Sequence, residues 1–161
     1  MSTLGRILLA TGGLAAAGLI CTMVAQGDVH AAAYKGSKLC LACHKGLDRA
    51  IAEGYPKTAH ALAFWKVGDE KEGQRILGDF TKDPGFTRAQ VAYVLGVGRN
   101  EQAYLDRDFR MLPLFWEVSS KSWVKRMPPV DGATQCIACH VTNYDQSSKT
   151  WTEAGAGCES C

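Results

Sequence analysis

The chain has 161 residues, of which 47% are hydrophobic and 21% are charged, and its formal net charge is +2 at pH 7. This composition is typical of a folded globular domain and excludes a fully disordered chain. The small net charge argues against a nucleic-acid-binding protein, which would carry a clustered basic face.

Residues 1–33 predict a secretory signal peptide. A single early base, Arg6, precedes an apolar run over residues 7–25, and small residues follow up to Ala33. This order of base, apolar run and small residues is typical of a cleaved export signal. An uncleaved membrane anchor is the alternative, because the run approaches the roughly 20 residues that span a bilayer. We therefore expect an exported, periplasmic or otherwise extracytoplasmic protein whose mature domain covers residues 34–161.

The first half of the mature chain predicts short helices. An amphipathic stretch over residues 47–52 ends near Gly54 and Pro56, and a second helix is expected over residues 57–66. One further helix is expected around residues 70–77, inside a segment that is rich in glycine and turn residues.

The middle of the chain predicts strands. Residues 89–98, 102–105 and 109–116 are rich in β-branched and aromatic side chains and suggest a small meander. A helix that begins at Thr87 is the competing interpretation, because a capping-box pattern starts there. From Trp123 onwards the sequence becomes irregular. The predicted fold class is mostly irregular and α, with a small β meander, organised around bound cofactors.

The six cysteines of the mature chain form three CxxC pairs. They are Cys40 with Cys43, Cys136 with Cys139, and Cys158 with Cys161. Histidine follows the first two pairs directly, as His44 and His140. CxxCH is the attachment motif of haem c, in which two thiols bond to the porphyrin and the histidine binds the iron. We therefore predict two complete haem c sites and the thioether half of a third.

A zinc site is the main alternative for the last two pairs. Their spacing fits a four-cysteine zinc site. Zinc would leave the first pair and His44 unexplained and would be unusual in an exported protein, so no zinc is expected. A thioredoxin-like dithiol would need a βαβ context, which the sequence around the three pairs does not show.

One histidine of residues 34–161, His60, lies outside the CxxCH motifs. Haem iron in an electron carrier needs a second strong ligand, and imidazole commonly supplies it. We predict that His60 is a distal iron ligand and gives one haem two histidine ligands, although the sequence does not identify which haem. Met111 and Met127 are alternative thioether ligands, for which ordinary packing is the preferred interpretation.

Several stretches resemble the exported multihaem c-type cytochromes of the cytochrome c554-like group. They are YKGSKLCLACH, KTAHALAFW, LGDF, YVLGVGRNEQAYL with RMLPLFWEV, QCIACHVTNYD and EAGAGCESC. The resemblance implies the same three haem attachment sites and a distal role for His60. In that family the last stretch continues as a full CxxCH, so histidine is expected directly after Cys161 and the chain is interpreted as an N-terminal part of a longer protein.

The predicted function is electron transfer by an exported multihaem c-type cytochrome without catalytic residues of its own. The expected partners are redox proteins, such as a quinol-oxidising membrane complex or other cytochromes, and not nucleic acid. The alternative is a reductase or oxidase of small nitrogen or sulfur compounds in which one haem keeps an open distal position.

Overall fold

The computed structural model describes residues 33–160. The predicted signal peptide therefore lies almost entirely outside the described residues, as does Cys161. No helix within residues 33–160 is both long enough and apolar enough to cross a membrane. The helices are α1 (Ser37–Leu47), α2 (Arg49–Gly54), α3 (Gly132–Gln135) and α4 (Ile137–His140). The strands are β1 (Phe64–Lys66), β2 (Tyr93–Leu95), β3 (Glu101–Leu105), β4 (Phe115–Glu117), β5 (Ser122–Val124), β6 (Val141–Thr142) and β7 (Glu153–Ala154).

Strands β1 to β5 form one antiparallel meander in which each strand pairs with the next along the chain. In the register, Trp65 lies opposite Val94, and Val94 lies opposite Tyr104. Strands β6 and β7 form a separate two-stranded ribbon. Successive side chains of a strand point to opposite faces, and both faces of the five-stranded sheet are apolar.

Each face of the sheet carries its own buried cluster. The motif face consists of Phe64, Leu95, Ala103, Leu105 and Phe115 of the strands, together with Phe109, Met111, Ala133, Ile137 and Val141. The aromatic face consists of Trp65, Val94, Tyr104 and Trp116 of the strands, together with Phe86, Val91 and Leu112. Helices α3 and α4, which carry the second CxxCH motif, therefore pack on the motif face.

The aromatic face contains a buried hydrogen-bond network. Tyr104 is fully buried, and its hydroxyl donates to Gln102 Oε1 at 2.9 Å and accepts from the Gly78 N–H at 3.0 Å. The Gln102 amide group donates to two further backbone carbonyls, those of Arg75 and Gly96. Because these buried polar groups have partners, the network does not carry the cost of unmade hydrogen bonds. Burial raises the pKa of Tyr104 to about 12.

Short helices surround the first CxxCH motif. Helix α1 ends at Leu47, and the Asp48 carboxylate then caps α2 by accepting from the N–H groups of Ala50 and Ile51. A 3₁₀ turn over Tyr55–Lys57 follows α2 at once and contains Pro56. The predicted helical stretch over residues 47–52 is thus confirmed, with different boundaries.

Two predicted helices are wrong. The end of the helix expected over residues 57–66 is strand β1, in which Phe64 and Trp65 are both buried, on opposite faces of the sheet. The segment 70–77 contains turns instead of a helix, and Gly73 has a φ of +88° there. Tertiary packing on a two-sided sheet overrides the weak helical preference of both segments.

The predicted meander is confirmed in its core and shorter than expected. Strand β3 coincides closely with the predicted segment 102–105, whereas the segments 89–98 and 109–116 contain only three-residue strands at their centre or end. The helix expected in the alternative from Thr87 is a single 3₁₀ turn, Arg88–Gln90. Two of the three residues of β5, Trp123 and Val124, lie in the stretch that the sequence suggests is irregular. Few helices and a small antiparallel sheet therefore confirm the fold class at this coarse level.

Candidate haem sites

Helix α1 presents the complete first motif within one and a half turns. Cys40, Cys43 and His44 all lie between Ser37 and Leu47, so both thiols and the imidazole come from one short helical segment. His44 is half-buried, and its Nδ1 atom is buried without a hydrogen-bond partner. A buried polar atom without a partner is costly in a folded protein, which marks this imidazole as unusual.

The second motif spans the junction of α3 and α4. The Asp131 carboxylate caps α3 by accepting from the Ala133 N–H at 3.0 Å. Cys136 stands between the two helices with a φ of −120°, and α4 then carries Cys139 and His140. The break at Cys136 separates the two helical turns without separating the motif residues.

His140 resembles His44 in its environment. It is half-buried, and its Nδ1 atom is buried without a hydrogen bond of good geometry. Burial lowers the pKa of His140, and an interaction with the backbone of Ala63 opposes part of this effect. A lowered pKa keeps the imidazole neutral, which is the form that binds metal ions.

A cavity of about 280 Å³ lies against the second motif. Cys136 and His140 contribute to its wall, and most of the remaining lining comes from the motif face of the sheet and the segments beside it. That remaining lining is Leu95, Gly96, Glu101, Ala103, Met111, Phe115 and Met127. Met127 is 38% exposed at this cavity, whereas Met111 is buried. The cavity is thus mostly apolar, with one imidazole and one carboxylate.

Glu101 is the charged residue of this cavity, and an arginine holds it in place. The Arg126 guanidinium donates to Glu101 Oε2 at 2.8 Å and to Glu117 Oε1 at 2.5 Å. Hydrogen bonds from Ser120 and Arg126 lower the pKa of Glu117. Sequence reasoning missed this group, because a separation of 25 residues between Glu101 and Arg126 gives no local signal.

Cys158, the described cysteine of the third pair, lies beside the helix that carries the first pair. The Cys158 N–H donates to Ser37 Oγ at 2.8 Å, across 121 residues of sequence. The Glu159 carboxylate accepts from the N–H groups of Lys35 and Gly36, at distances between 2.6 and 3.1 Å. The turn Cys158–Ser160 is therefore docked on the N-terminus of α1.

The thiols of Cys40 and Cys158 lie close enough to affect each other. Burial, the neighbouring Cys158 thiol and the Glu159 carboxylate raise the pKa of Cys40. The corresponding cysteine neighbour of Cys136 is Cys139 of its own motif. The Cys158 thiol thus approaches that of Cys40 in the first pair, whereas a zinc site of the second and third pairs would require it to approach Cys136 and Cys139.

None of the described cysteines forms a disulfide. They are Cys40, Cys43, Cys136, Cys139 and Cys158. Within residues 33–160, no group of three or more histidine, cysteine or acidic side chains is arranged to hold a metal ion. The two histidine-containing motifs lie on different helices, and each has its own two thiols and one imidazole.

His60 is exposed and lies between the second and third motifs. Its carbonyl accepts from the Ala156 N–H at 2.9 Å, two residues before Cys158. Gly155 permits this approach, because its φ is +92° and a Cβ atom there would clash with the backbone of Ala61. His60 also lines a cavity of about 350 Å³ that shares Gly96 and Glu101 with the cavity beside His140.

Part of the chain that contains these sites matches a known protein family. Residues 116–161, which include the second and third pairs, match the family described as cytochrome c554 and c-prime. No curated protein matches the sequence. The predicted resemblance to multihaem c-type cytochromes is therefore confirmed by the family match and by the solved structures below.

Two solved structures share the fold. The undecaheme cytochrome from the S-layer of Carboxydothermus ferrireducens superposes with a TM-score of 0.58 and 23% identity, over 80% of this chain and 20% of that chain. The outer cell wall cytochrome OcwA superposes with a TM-score of 0.58 and 18% identity, over 78% of this chain and 30% of that chain. The present chain thus spans less than a third of the length of either structure.

Proposed function

We propose that this chain, a relative of the multihaem c-type cytochromes, is exported and transfers electrons through covalently attached haems. Cys40 and Cys43 would form the thioether bonds of one haem, with His44 as proximal ligand. Cys136, Cys139 and His140 would do the same for a second haem. Cys158 with Cys161 would attach a third. Bound haem supplies an iron that accepts and releases one electron at a time.

The residues present fit haem c at both complete motifs. Each motif offers two free thiols and an imidazole within one or two helical turns. Both imidazoles are half-buried, and burial lowers the pKa of His140, so that this ring stays in the neutral form that binds a metal. The apolar lining beside His140 suits a porphyrin face, because it would exclude water from the macrocycle.

The proximity of Cys40 and Cys158 carries the proposal of electron transfer. Cys40 and Cys158 interact through their side chains, and Ser37 joins the backbone of the third pair to α1. Two haems bonded to these neighbouring sulfurs would start from adjacent positions on the protein surface. Adjacent cofactors are the arrangement that electron transfer requires, whereas isolated ones are not.

His60 supports a bis-histidine haem. It is exposed, and its backbone is fixed beside Ala156 near the third pair. The proposed role is distal ligation of one iron, which would block that iron to substrates and suit it to electron transfer. Export is supported by the two solved relatives, which are described as S-layer and outer cell wall cytochromes.

Haem counting tests this proposal. The protein would be produced in a host that matures c-type cytochromes, and the intact mass and haem-stained denaturing gels would be measured. Replacing both cysteines of the first motif, Cys40→Ala with Cys43→Ala, is expected to remove the mass of one haem. The pair Cys136→Ala and Cys139→Ala is expected to remove another.

The matched control for the haem count changes residues inside the motif and keeps the thiols. Ala42→Ser and Ala138→Ser are both at exposed positions between the cysteines and are expected to leave the count unchanged. A colourless product that contains zinc would overturn the proposal. Loss of all haems on changing either motif would contradict independent attachment sites.

A catalytic site at the second haem is the second candidate function. Among the described side chains that line the cavity beside His140, no second histidine is present. This observation favours an iron with an open distal position, at which a small nitrogen or sulfur compound could bind. A high-spin ferric spectrum and carbon monoxide binding to the reduced second haem would support catalysis, and a fully low-spin spectrum would exclude it.

A further inference from the structure

A groove with three cationic side chains lies at the end of β1 and β2. Its volume is about 900 Å³. The cations are Lys66, Arg88 and Arg107, and all three are exposed. They come from a strand, a 3₁₀ turn and a loop, so the fold gathers them from separate parts of the sequence.

Apolar side chains line the rest of the groove. They are Val67, Ala89, Val91, Ala92 and Tyr93, and no acidic residue contributes to the wall. Among the described residues, none of the three cations has a carboxylate within 4.0 Å, and none of their side chains makes a hydrogen bond. The positive charge of the groove is therefore not neutralised by ion pairs.

Acidic residues are present at the edge of the groove without forming ion pairs to it. The charge of Arg88 contributes to lowering the pKa of Glu70, after the hydrogen bonds that the backbones of Gly68 and Glu70 provide. Asp69 acts through its charge on Tyr93. Interactions of this kind are weak at a solvated surface, so the three cations still dominate the groove.

A second cavity provides a contrast within the same molecule. It has a volume of about 660 Å³ and contains two cations and two carboxylates in its wall. The charged lining residues are Asp108, Arg110, Asp131 and Lys149. Its charges cancel by count, so the excess of positive charge belongs to the first groove.

The cationic groove is close to the second haem site. Tyr93 lines the groove, and Leu95 lines the cavity beside His140. The two residues lie on the same face of β2, about 7 Å apart along the strand. Tyr93 also stacks on Phe109 with ring centroids 4.6 Å apart, within the same apolar cluster as Leu95. A molecule seated in the groove would therefore approach the second haem closely.

We propose that this groove is the docking site for an acidic redox protein that exchanges electrons with the second haem. The inference rests on the proposed electron-transfer function and adds the surface and the charge of the partner. Three unpaired cations around an apolar floor match a protein surface with carboxylates around an apolar centre. Such complementarity accelerates association and makes its rate sensitive to salt.

Reduction kinetics with an acidic protein donor test the docking site. Reduced flavodoxin would be mixed with the haem-loaded full chain, and the second-order rate constant for haem reduction would be measured at several ionic strengths. The rate is expected to fall as salt is added. Arg88→Glu with Arg107→Glu is expected to lower it about tenfold or more at low ionic strength, because steering by charge contributes factors of this size.

Arg110→Glu and Lys149→Glu together are the matched control, because they change the net charge by the same amount at the mixed-charge cavity. This control is expected to change the rate less than twofold. Equal effects of the groove and control variants would overturn the docking site. A groove effect that disappears with inorganic phosphate at constant ionic strength would also overturn it, since it would identify a site for small anions.

Reduction by a neutral hydroquinone separates failure of the docking site from failure of the proposed function. All variants are expected to be reduced at the same rate by this donor, because it has no charge to steer. Normal reduction by hydroquinone without a groove effect would contradict the docking site alone. A protein without haem that neither donor reduces would contradict the proposed function itself.

Discussion

The two faces of the five-stranded sheet differ in how fully protein side chains cover them. On the aromatic face, Tyr104 and Gln102 are fully buried and their polar groups bond to each other and to the backbone. On the motif face, the core continues into α4, where the Nδ1 atom of His140 is buried without a partner and a cavity remains beside it. Apart from the unpartnered Nε1 of Trp65, protein side chains fill the aromatic face, whereas the motif face keeps a cavity beside a half-buried histidine and has the features of a surface that a cofactor completes.

Exposed apolar side chains extend this contrast to the first motif. Leu39 is 54% exposed and Leu47 is 84% exposed on α1, and Ile51 is 47% exposed on α2. No residue of the sheet clusters is exposed to this extent. Helices α1 and α2, at the first motif, therefore gain less from protein packing than the strands do, which predicts that they depend more on bound haem.

Omitting haem is the change with the largest expected effect. In protein produced without haem maturation, amide hydrogen exchange in α1 is expected to be at least about a hundredfold faster than in the haem-loaded protein. The amides of β3 are expected to keep most of their protection, because the aromatic face remains packed. Uniform loss of protection in α1 and β3 would show that the two regions fold as one unit. It would contradict the expectation that α1 depends on haem more than β3 does.

Neighbouring residues of β4 test the two faces with one substitution each. Phe115 lines the cavity beside His140, and Trp116 is buried on the aromatic face. Phe115→Ala and Trp116→Ala are each expected to lower the free energy of unfolding by about 3–5 kcal/mol. The reduction potential and absorption of the second haem are expected to change only in the Phe115→Ala variant, as spectroelectrochemistry would show.

Equal spectral effects of the two substitutions would contradict the assignment of the cavity to the second haem. Val94→Ala is a further control on the aromatic face, since Val94 is fully buried and distant in sequence from both motifs. This variant is expected to lose stability without altering the haem spectrum.

Alkaline pH tests how much the buried, neutral phenol of Tyr104 stabilises the aromatic face. Burial raises the pKa of Tyr104 to about 12, above its ordinary value of 10.0. The folded state thus favours the neutral phenol. The stability from this residue is fully present below pH 10 and is lost as pH rises through the folded-state pKa, at about 1.4 kcal/mol per unit and roughly 3 kcal/mol overall.

Urea denaturation between pH 9 and about pH 11 would measure this loss. Tyr104→Phe is expected to start less stable by about 1–3 kcal/mol, because Gln102 and the Gly78 N–H lose a partner. Its stability is then expected to fall less steeply with pH than that of the wild type. An identical slope in both proteins would show that another group controls the alkaline transition.

The sequence predicts the strands and the haem motifs because their signals are local. β-branched and aromatic residues around Val94 and Tyr104 suffice to indicate pairing strands, and CxxCH encodes donor atoms within five residues. The segment containing Phe64 and Trp65 is misread, because it is too short for periodicity to distinguish a two-sided strand from a buried helix.

The neighbourhood of the motifs could not be predicted for a different reason. Cys158 bonds to Ser37 across 121 residues, and Glu101 bonds to Arg126 across 25. Contacts at such separations depend on the whole fold, and neither Ser37 nor Glu101 belongs to a motif. Of the candidate site, the ligand types are therefore readable from the sequence, whereas the pairing of the sites and the lining of the cavity are not.

The smallest expected effect concerns the ion pairs of Arg126 at the edge of the motif face. Arg126→Gln removes contacts to Glu101 and Glu117, but the arginine side chain is 44% exposed, so water screens both pairs. The melting temperature is expected to change by no more than about 3 °C.

The second haem is expected to respond more than the fold does, because Glu101 lines its cavity and a freed carboxylate stabilises the oxidised, more positive iron. A lowered reduction potential with an almost unchanged melting temperature would place Glu101 among the groups that tune the haem. A large fall in melting temperature with an unchanged potential would make Arg126 a structural residue of the sheet instead.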